Sequence, residues 1–190
     1  WQVFSWFCTV FTVRILRPDD YGLVALPDAV FPYLMMLATL KLDTWMMQEG
    51  KLSEEAEKSI ASFIILLSVL STGLGLVAAP LLARFYGYGE LETVAQVMCL
   101  MFLPRGLRLI PEVRLRQELH LKPIAISNLS VGVVRGLLQV YLAAHGWGAW
   151  TLIWGAIFAE VALLVWLTIA AGQPKGLAWD QRLNARAFSF

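Results

Sequence analysis

Arg135 and Glu160 stand near the middles of two long apolar stretches, PIAISNLSVGVVRGLLQVYLAAHG and WTLIWGAIFAEVALLVWLTIAAG. A bare charge at a bilayer centre costs roughly 2.5–3.5 kcal/mol on insertion scales, so such side chains turn inward, toward a partner helix or a watery cavity. Two readings follow. The opposite charges neutralise each other as a structural pair, or they line a path for a charged substrate. Glu160 is in addition a candidate proton or cation relay, the kind of work intramembrane carboxylates do.

Other charges interrupt apolar sequence in the same way. Asp28 lies between Pro27 and Pro32. Prolines free backbone carbonyls and kink a helix, and irregular backbone at membrane depth is tolerated only against protein or a water-filled cavity. Asp28 therefore either faces a cavity or sits near the outer headgroups. Lys41 and Asp43 follow at the far end of that stretch, two apart and so on different sides of a helix. Snorkelling to the interface accounts for Lys41; the alternative is a role at the mouth of a cavity. Arg105, Arg108 and Glu112 share one helical face at i, i+3 and i+7 if the helix continues through Pro111, and Arg108 and Glu112 are spaced to pair. They read as an inner-leaflet anchor or as a basic gate for an anion. Ser5, Thr9 and Thr12 form either a polar cavity face or an ordinary packing surface, packing being favoured. His120 and His145 are isolated loop residues without a carboxylate arrangement, and neither reads as catalytic. Cys8 and Cys99 lie in apolar sequence without metal or redox spacing and read as free buried thiols.

Composition supplies the elements that position these groups. Hydrophobic residues make up 58% of the 190-residue chain and charged residues 15%, with a mean hydropathy of +0.65. Soluble domains are about 45–50% apolar and about 25% charged. The fold class expected is all-α and integral to a membrane. Six spans are expected, at about 1–16 (truncated), 23–47, 60–83, 91–110 (broken late by Pro104 and Pro111), 123–144 and 147–171. Most of the eight tryptophans fall near span ends, Trp45 among them, as interfacial belts do. Ser53 reads as an N-cap, with acids in the first turn after it. The net charge of +1, without a basic run interleaved with aromatics, gives no sign of nucleic acid.

The connections fall into two sets. RPDDYG, RFYGYGE and HGWG share one side, which carries Arg14, Arg17 and Arg84; QEGKLSEEAEK, RLRQELHLK and the tail share the other, with eight lysines and arginines. The positive-inside rule places the second side in the cytoplasm, with both ends of the chain. The chain opens on Trp1 inside an apolar run and reads as part of a longer protein, residues 173–190 forming a basic cytoplasmic linker toward a second lobe.

Four segments carry a resemblance, in order and spread from about residue 14 to 172. RILRPDDYGLVAL resembles the turn "ar-x-L-[ST]-P-[ED]-[DE]-[YF]-G" of bacterial polysaccharide flippases, with Arg17 where Ser or Thr is common. APLLARFYGYGELETVAQVMCL resembles their loop between third and fourth spans. RLIPEVRLRQELHLKPIAISN resembles their "P-x-x-l-x-q-r-e-l-x-f-k" connection, and HGWGAWTLIWG their "G-[FYW]-G-[VA]-W-[AS]-L" hairpin. The chain thus resembles the N-terminal part of the polysaccharide transporter (Wzx-like) branch of the multidrug/oligosaccharidyl-lipid/polysaccharide exporter superfamily.

That resemblance implies the first six-helix lobe of a two-lobed transporter in the bacterial inner membrane. It implies transfer of undecaprenyl-pyrophosphate-linked glycan, such as an O-antigen precursor of lipopolysaccharide, by alternating access. A single lobe is not expected to transport. The expected partners are the lipid-linked oligosaccharide, membrane lipid and the polysaccharide polymerase machinery; no cofactor, metal or enzymatic activity is expected. An anionic headgroup crossing an apolar slab needs fixed cations, and the arginine fork donates two hydrogen bonds to a phosphate at once. Arg135, Asp28, Arg105, Arg108 and Lys41 are therefore the candidate cavity or gate residues, and Glu160 and Asp43 the candidate coupling or ion-pair residues. The competing readings are another transporter of the superfamily (a drug/cation antiporter or lipid II flippase), a polymerase or ligase of polysaccharide assembly, and a structural membrane subunit. The short outer loops disfavour an enzyme.

Overall fold

The structure, a computed structural model, describes residues 2–39, 42–50 and 53–171, apart from the side chains of residues 2, 3 and 37–39. Lys41 and the tail 173–190 lie outside the described residues. What is described is helical throughout: α1 (Gln2–Ile15), α2 (Pro18–Thr39), α3 (Leu42–Glu49), α4 (Glu54–Tyr86), α5 (Gly89–Cys99), α6 (Phe102–Gln117), α7 (Leu121–Ala144) and α8 (Trp150–Ala171). Among the described residues four segments are long and apolar enough to cross a membrane: α4, α5 with α6 taken together, α7 and α8. This makes the chain a multi-pass membrane protein. The helix α1 is apolar but shorter, and α2 carries Asp19, Asp20 and Asp28.

Local sequence accounts for the boundaries. Ser53 caps α4, its hydroxyl accepting from the Ala56 amide at 3.2 Å, and Glu54, Glu55 and Glu57 fill the first turn, where carboxylates meet the positive end of the helix. At the other end Gly87 takes a left-handed φ of 74°. The expected break in the fourth span comes earlier than its prolines. The chain turns at Leu100 and Met101, whose amides bond three residues back, to Val97 and Met98. Pro104 explains this: it has no amide to bond the Leu100 carbonyl, and its ring clashes there, so a helix restarts just before it. Pro111, by contrast, lies inside α6, which runs on through it.

The helices meet through small residues, as membrane helices do. Ser68, Ser71, Thr72, Gly75 and Ala79 form a buried face of α4 against α5 and α6. A Cβ at Gly75 would run into Cys99 Sγ and lie 3.4 Å from Phe102, whereas one at Gly73 meets nothing within 4 Å. Gly75→Val is expected to lower the thermal midpoint of the solubilised protein, overpacking costing typically about 1–3 kcal/mol. Gly73→Ala should leave the midpoint unchanged or raise it, since alanine is the better helix former. Equal midpoints for the two would contradict this packing. Both cysteines are buried free thiols. The outward side of α4, with Val69, Leu70, Val77, Leu81 and Phe85, is apolar and exposed.

Apolar clusters tie the bundle at its two ends. Leu42, Trp45 and Met46 of α3 pack under Ile60, Ile64, Ile110 and Val113 of α4 and α6. Trp45 is therefore core, 6% exposed, and not a member of an interfacial belt. Val24, Phe31, Met98, Phe102 and Ile153 join α2, α5, α6 and α8, with the Phe31 and Phe102 rings 5.2 Å apart.

Candidate functional site

The turn at Met101 and the passage of α6 through Pro111 place Arg105, Arg108, Glu112 and Arg116 along one face of α6. Helical spacing predicts the pairing of Arg108 with Glu112, and Arg108 Nε lies 3.5 Å from Glu112 Oε2. Glu112 also holds Arg116 through its other oxygen. Across the helix interface, α8 brings Glu160 to the same arginines: Oε2 stands 3.2 Å from Arg108 Nη1 and Oε1 3.9 Å from Arg105 Nη1. The ionic partners of Glu160 are thus on α6. Among the described residues Arg135 makes no ion pair within 4 Å; it lies within electrostatic reach of Glu160 and of Asp28. Gly155 of α8 packs on the Gln139 side chain of α7. From that contact Arg135 lies four residues back along α7 and Glu160 five residues on along α8.

The α6 face opens into a cavity of about 500 Å³. Arg105, Arg108, Glu112 and Arg116 form one wall, and Pro32, Met35, Met36, Asp43, Thr44 and Met47 the other. Arg105 and Arg116 are each 52% exposed, while Arg108 and Glu160 are 19% and 16% exposed. The cavity therefore offers two accessible guanidinium groups at its surface and a third behind them, held by carboxylates. Asp28 and Arg135 lie on exposed faces of α2 and α7. Pro32, inside α2, has no amide to bond the Asp28 carbonyl. Glu160, Arg105, Arg108, Glu112 and Arg116 thus form a track of mixed charge joined by ion pairs, with Arg135 and Asp28 beyond it at electrostatic reach.

Of the sequence-selected groups, the structure brings together Arg105, Arg108, Glu112 and Glu160 by contact, Arg135 and Asp28 by electrostatic reach, and Asp43 as a cavity-wall residue. Lys41 lies outside the described residues. Arg116, which sequence reading treated only as a loop charge, belongs to the site; its signal was the i+4 spacing from Glu112. Ser5, Thr9 and Thr12 do not form one surface: Thr12 is buried with its hydroxyl on the Cys8 carbonyl, and Thr9, exposed, bonds the Ser5 carbonyl. His120 is not without a carboxylate, since Glu118 Oε2 lies 3.3 Å from its Nδ1. Among the described residues no group of three or more His, Cys, Asp or Glu side chains is placed to hold a metal ion.

Two polar contacts at the ends of the bundle hold this track in position. On the α3 side, Gln117 Nε2 donates to the Met46 and Gly50 carbonyls at 2.6 and 2.9 Å, fastening α3 against the end of α6. At the opposite end, Asp20 Oδ2 accepts from the Arg17 amide at 3.0 Å and Oδ1 from the Ala149 amide at 3.1 Å. One carboxylate thereby completes the first turn of α2 and the first turn of α8.

The sequence matches the profile of a family described as polysaccharide biosynthesis protein over residues 11–190. Searches among curated proteins and among solved structures each return no match.

Proposed function

The chain belongs to the polysaccharide biosynthesis protein family, and from this premise we propose that it is part of a flippase that moves a lipid-pyrophosphate-linked glycan from the cytoplasmic to the outer leaflet of a bacterial inner membrane. In this reading α1, α2 with α3, α4, α5 with α6, α7 and α8 are six spans of one lobe. The lobe works by alternating access, and the end bearing α3 and the α6–α7 turn faces the cytoplasm. The observation that carries the proposal is the arginine-lined cavity between α2, α3 and α6. Its three arginines outnumber Asp43 and Glu112 in the same lining, which suits an anion, and the guanidinium fork matches phosphate oxygens in pairs.

The direct test is reconstitution of the intact gene product in liposomes with a fluorescent polyprenyl-pyrophosphate glycan. Protein-dependent exposure of glycan from the inner leaflet to an impermeant lectin is the expected result; equal exposure in empty liposomes would overturn the proposal. Arg135 has its own prediction. Arg135→Lys keeps the charge and loses the fork with which Arg135 can hold a carboxylate such as Glu160 in two bonds, so export should fall more than protein abundance does. A parallel fall in both, or in neither, would make Arg135 structural or dispensable.

A further inference from the structure

Glu160 does not line the cavity; from behind its wall it supplies the negative charge that an anionic ligand would bring. It lies against Arg108 and Arg105, the two arginines that back and line the cavity, and its presence neutralises them. The contact is one of charge without directed bonding: Glu160 Oε2, 3.2 Å from Arg108 Nη1, is buried and has no hydrogen-bond partner, and Arg108 Nε, on the Glu112 side, is likewise buried without one. Buried ionic groups without hydrogen bonds pay for their desolvation incompletely. A phosphate oxygen with well-directed bonds to the Arg108 fork would therefore displace the carboxylate at small cost. The displaced carboxylate has somewhere to go. Arg135, on the neighbouring helix α7, is within its electrostatic reach and has no ion pair of its own within 4 Å among the described residues.

We propose that Glu160 is a swinging counter-ion: it neutralises Arg105 and Arg108 when the cavity is empty and transfers to Arg135 when an anionic phosphate group binds. The inference rests on the anion-binding reading of the cavity and adds its regulation. The resident carboxylate keeps the arginines from holding the ligand too tightly, so release competes with binding at the same charges. Arg135 acts through Glu160 and is a positioning residue in this scheme, not a ligand contact. Because the affinity is set by two coupled charges, the effect of altering Arg135 must depend on Glu160.

The experiment is a double-mutant cycle on the intact gene product purified in detergent, titrated with farnesyl pyrophosphate against farnesol as the uncharged control. Glu160→Gln should bind farnesyl pyrophosphate about tenfold more tightly, within the range usual for coupled sites. Arg135→Ala should weaken binding when Glu160 is present and change nothing when combined with Glu160→Gln. Glu160→Asp, which retains the charge with a shorter reach, should tighten binding less, and it carries the test if the glutamine variant does not fold. Unchanged or weaker binding by both Glu160 variants would overturn the proposal, as would an Arg135→Ala effect of equal size in both backgrounds. If Arg108→Ala abolishes binding while the Glu160 variants fail to tighten it, only the counter-ion switch falls. If no form of the protein prefers farnesyl pyrophosphate to farnesol, the anion-binding reading falls with it.

Discussion

Arg108→Ala is expected to lower glycan export roughly tenfold to a hundredfold per molecule of protein, the factor that about 1.5–3 kcal/mol for a hydrogen bond to a charged group implies. Arg108 is the point where two carboxylates converge, Glu160 from α8 at 3.2 Å and Glu112 from its own helix at 3.5 Å. It is also the least exposed of the three arginines on the cavity wall. Its removal leaves Glu160 with Arg105 alone and Glu112 with Arg116 alone, and the back wall of the cavity loses its cation. Part of the effect will appear as reduced protein, because removing one partner of a desolvated pair leaves the other charge uncompensated. Export must therefore be normalised to the amount in the membrane. Arg108→Lys separates the two contributions: it restores charge and should recover abundance, but without the planar fork it should recover little export. Full export from the lysine variant would reduce Arg108 to a point charge.

Asp20→Ala is expected to be the most destabilising single change at the opposite end. Both oxygens of this carboxylate are committed, one to the Arg17 amide that precedes α2 and one to the Ala149 amide that precedes α8. The first bond is the reciprocal half of a capping box; the second sets a negative charge on the amino end of α8, where it is favoured. Allowing for partial exposure, their loss should cost about 2 kcal/mol, or a fall of about 4–8 °C in the midpoint for a chain of this size. Gly148 tests the same contact from the other side. It has a φ of +51°, and a Cβ there would lie 2.8 Å from Asp20 Oδ1, so Gly148→Ala is strained twice, by backbone and by clash. Thermal unfolding of the solubilised protein checks both. Removing Asp20 relieves the clash but not the backbone strain, so Gly148→Ala combined with Asp20→Ala should lose less stability than the sum of the two single variants; fully additive losses would contradict a shared contact.

These contacts mark how far the sequence could be read. The helical, membrane-spanning character of the apolar stretches, the Ser53 cap and the Arg108–Glu112 spacing are local properties and were legible. The turn at Leu100–Met101 was displaced from its expected place because proline acts on the turn before it, not at its own position. The partners of Glu160 were not legible. They depend on α6 packing against α8, and one sequence gives helix faces without saying which faces meet; Arg135 and Glu160 invited pairing because both are deep and opposite in sign, whereas Arg108 was nearer. Trp45 looked interfacial because it ends a span, yet α3 folds beneath α4 and α6 and buries it. The segments RPDDYG and HGWG were each recognisable, but the single bond from Ala149 to Asp20 that joins them spans most of the chain, and only the fold reveals it.

The decisive measurement is the sidedness of lipid-linked glycan in cells from which the complete gene has been deleted, read with a lectin or glycan-cleaving enzyme that does not cross the membrane. The flippase account predicts that glycan-lipid accumulates on the cytoplasmic leaflet, and that the intact gene restores its exposure while the Arg108→Ala form does not. Normal exposure on the outer leaflet, with glycan chains that are short or unattached, would contradict it and assign the chain to the assembly of polysaccharide instead of its passage.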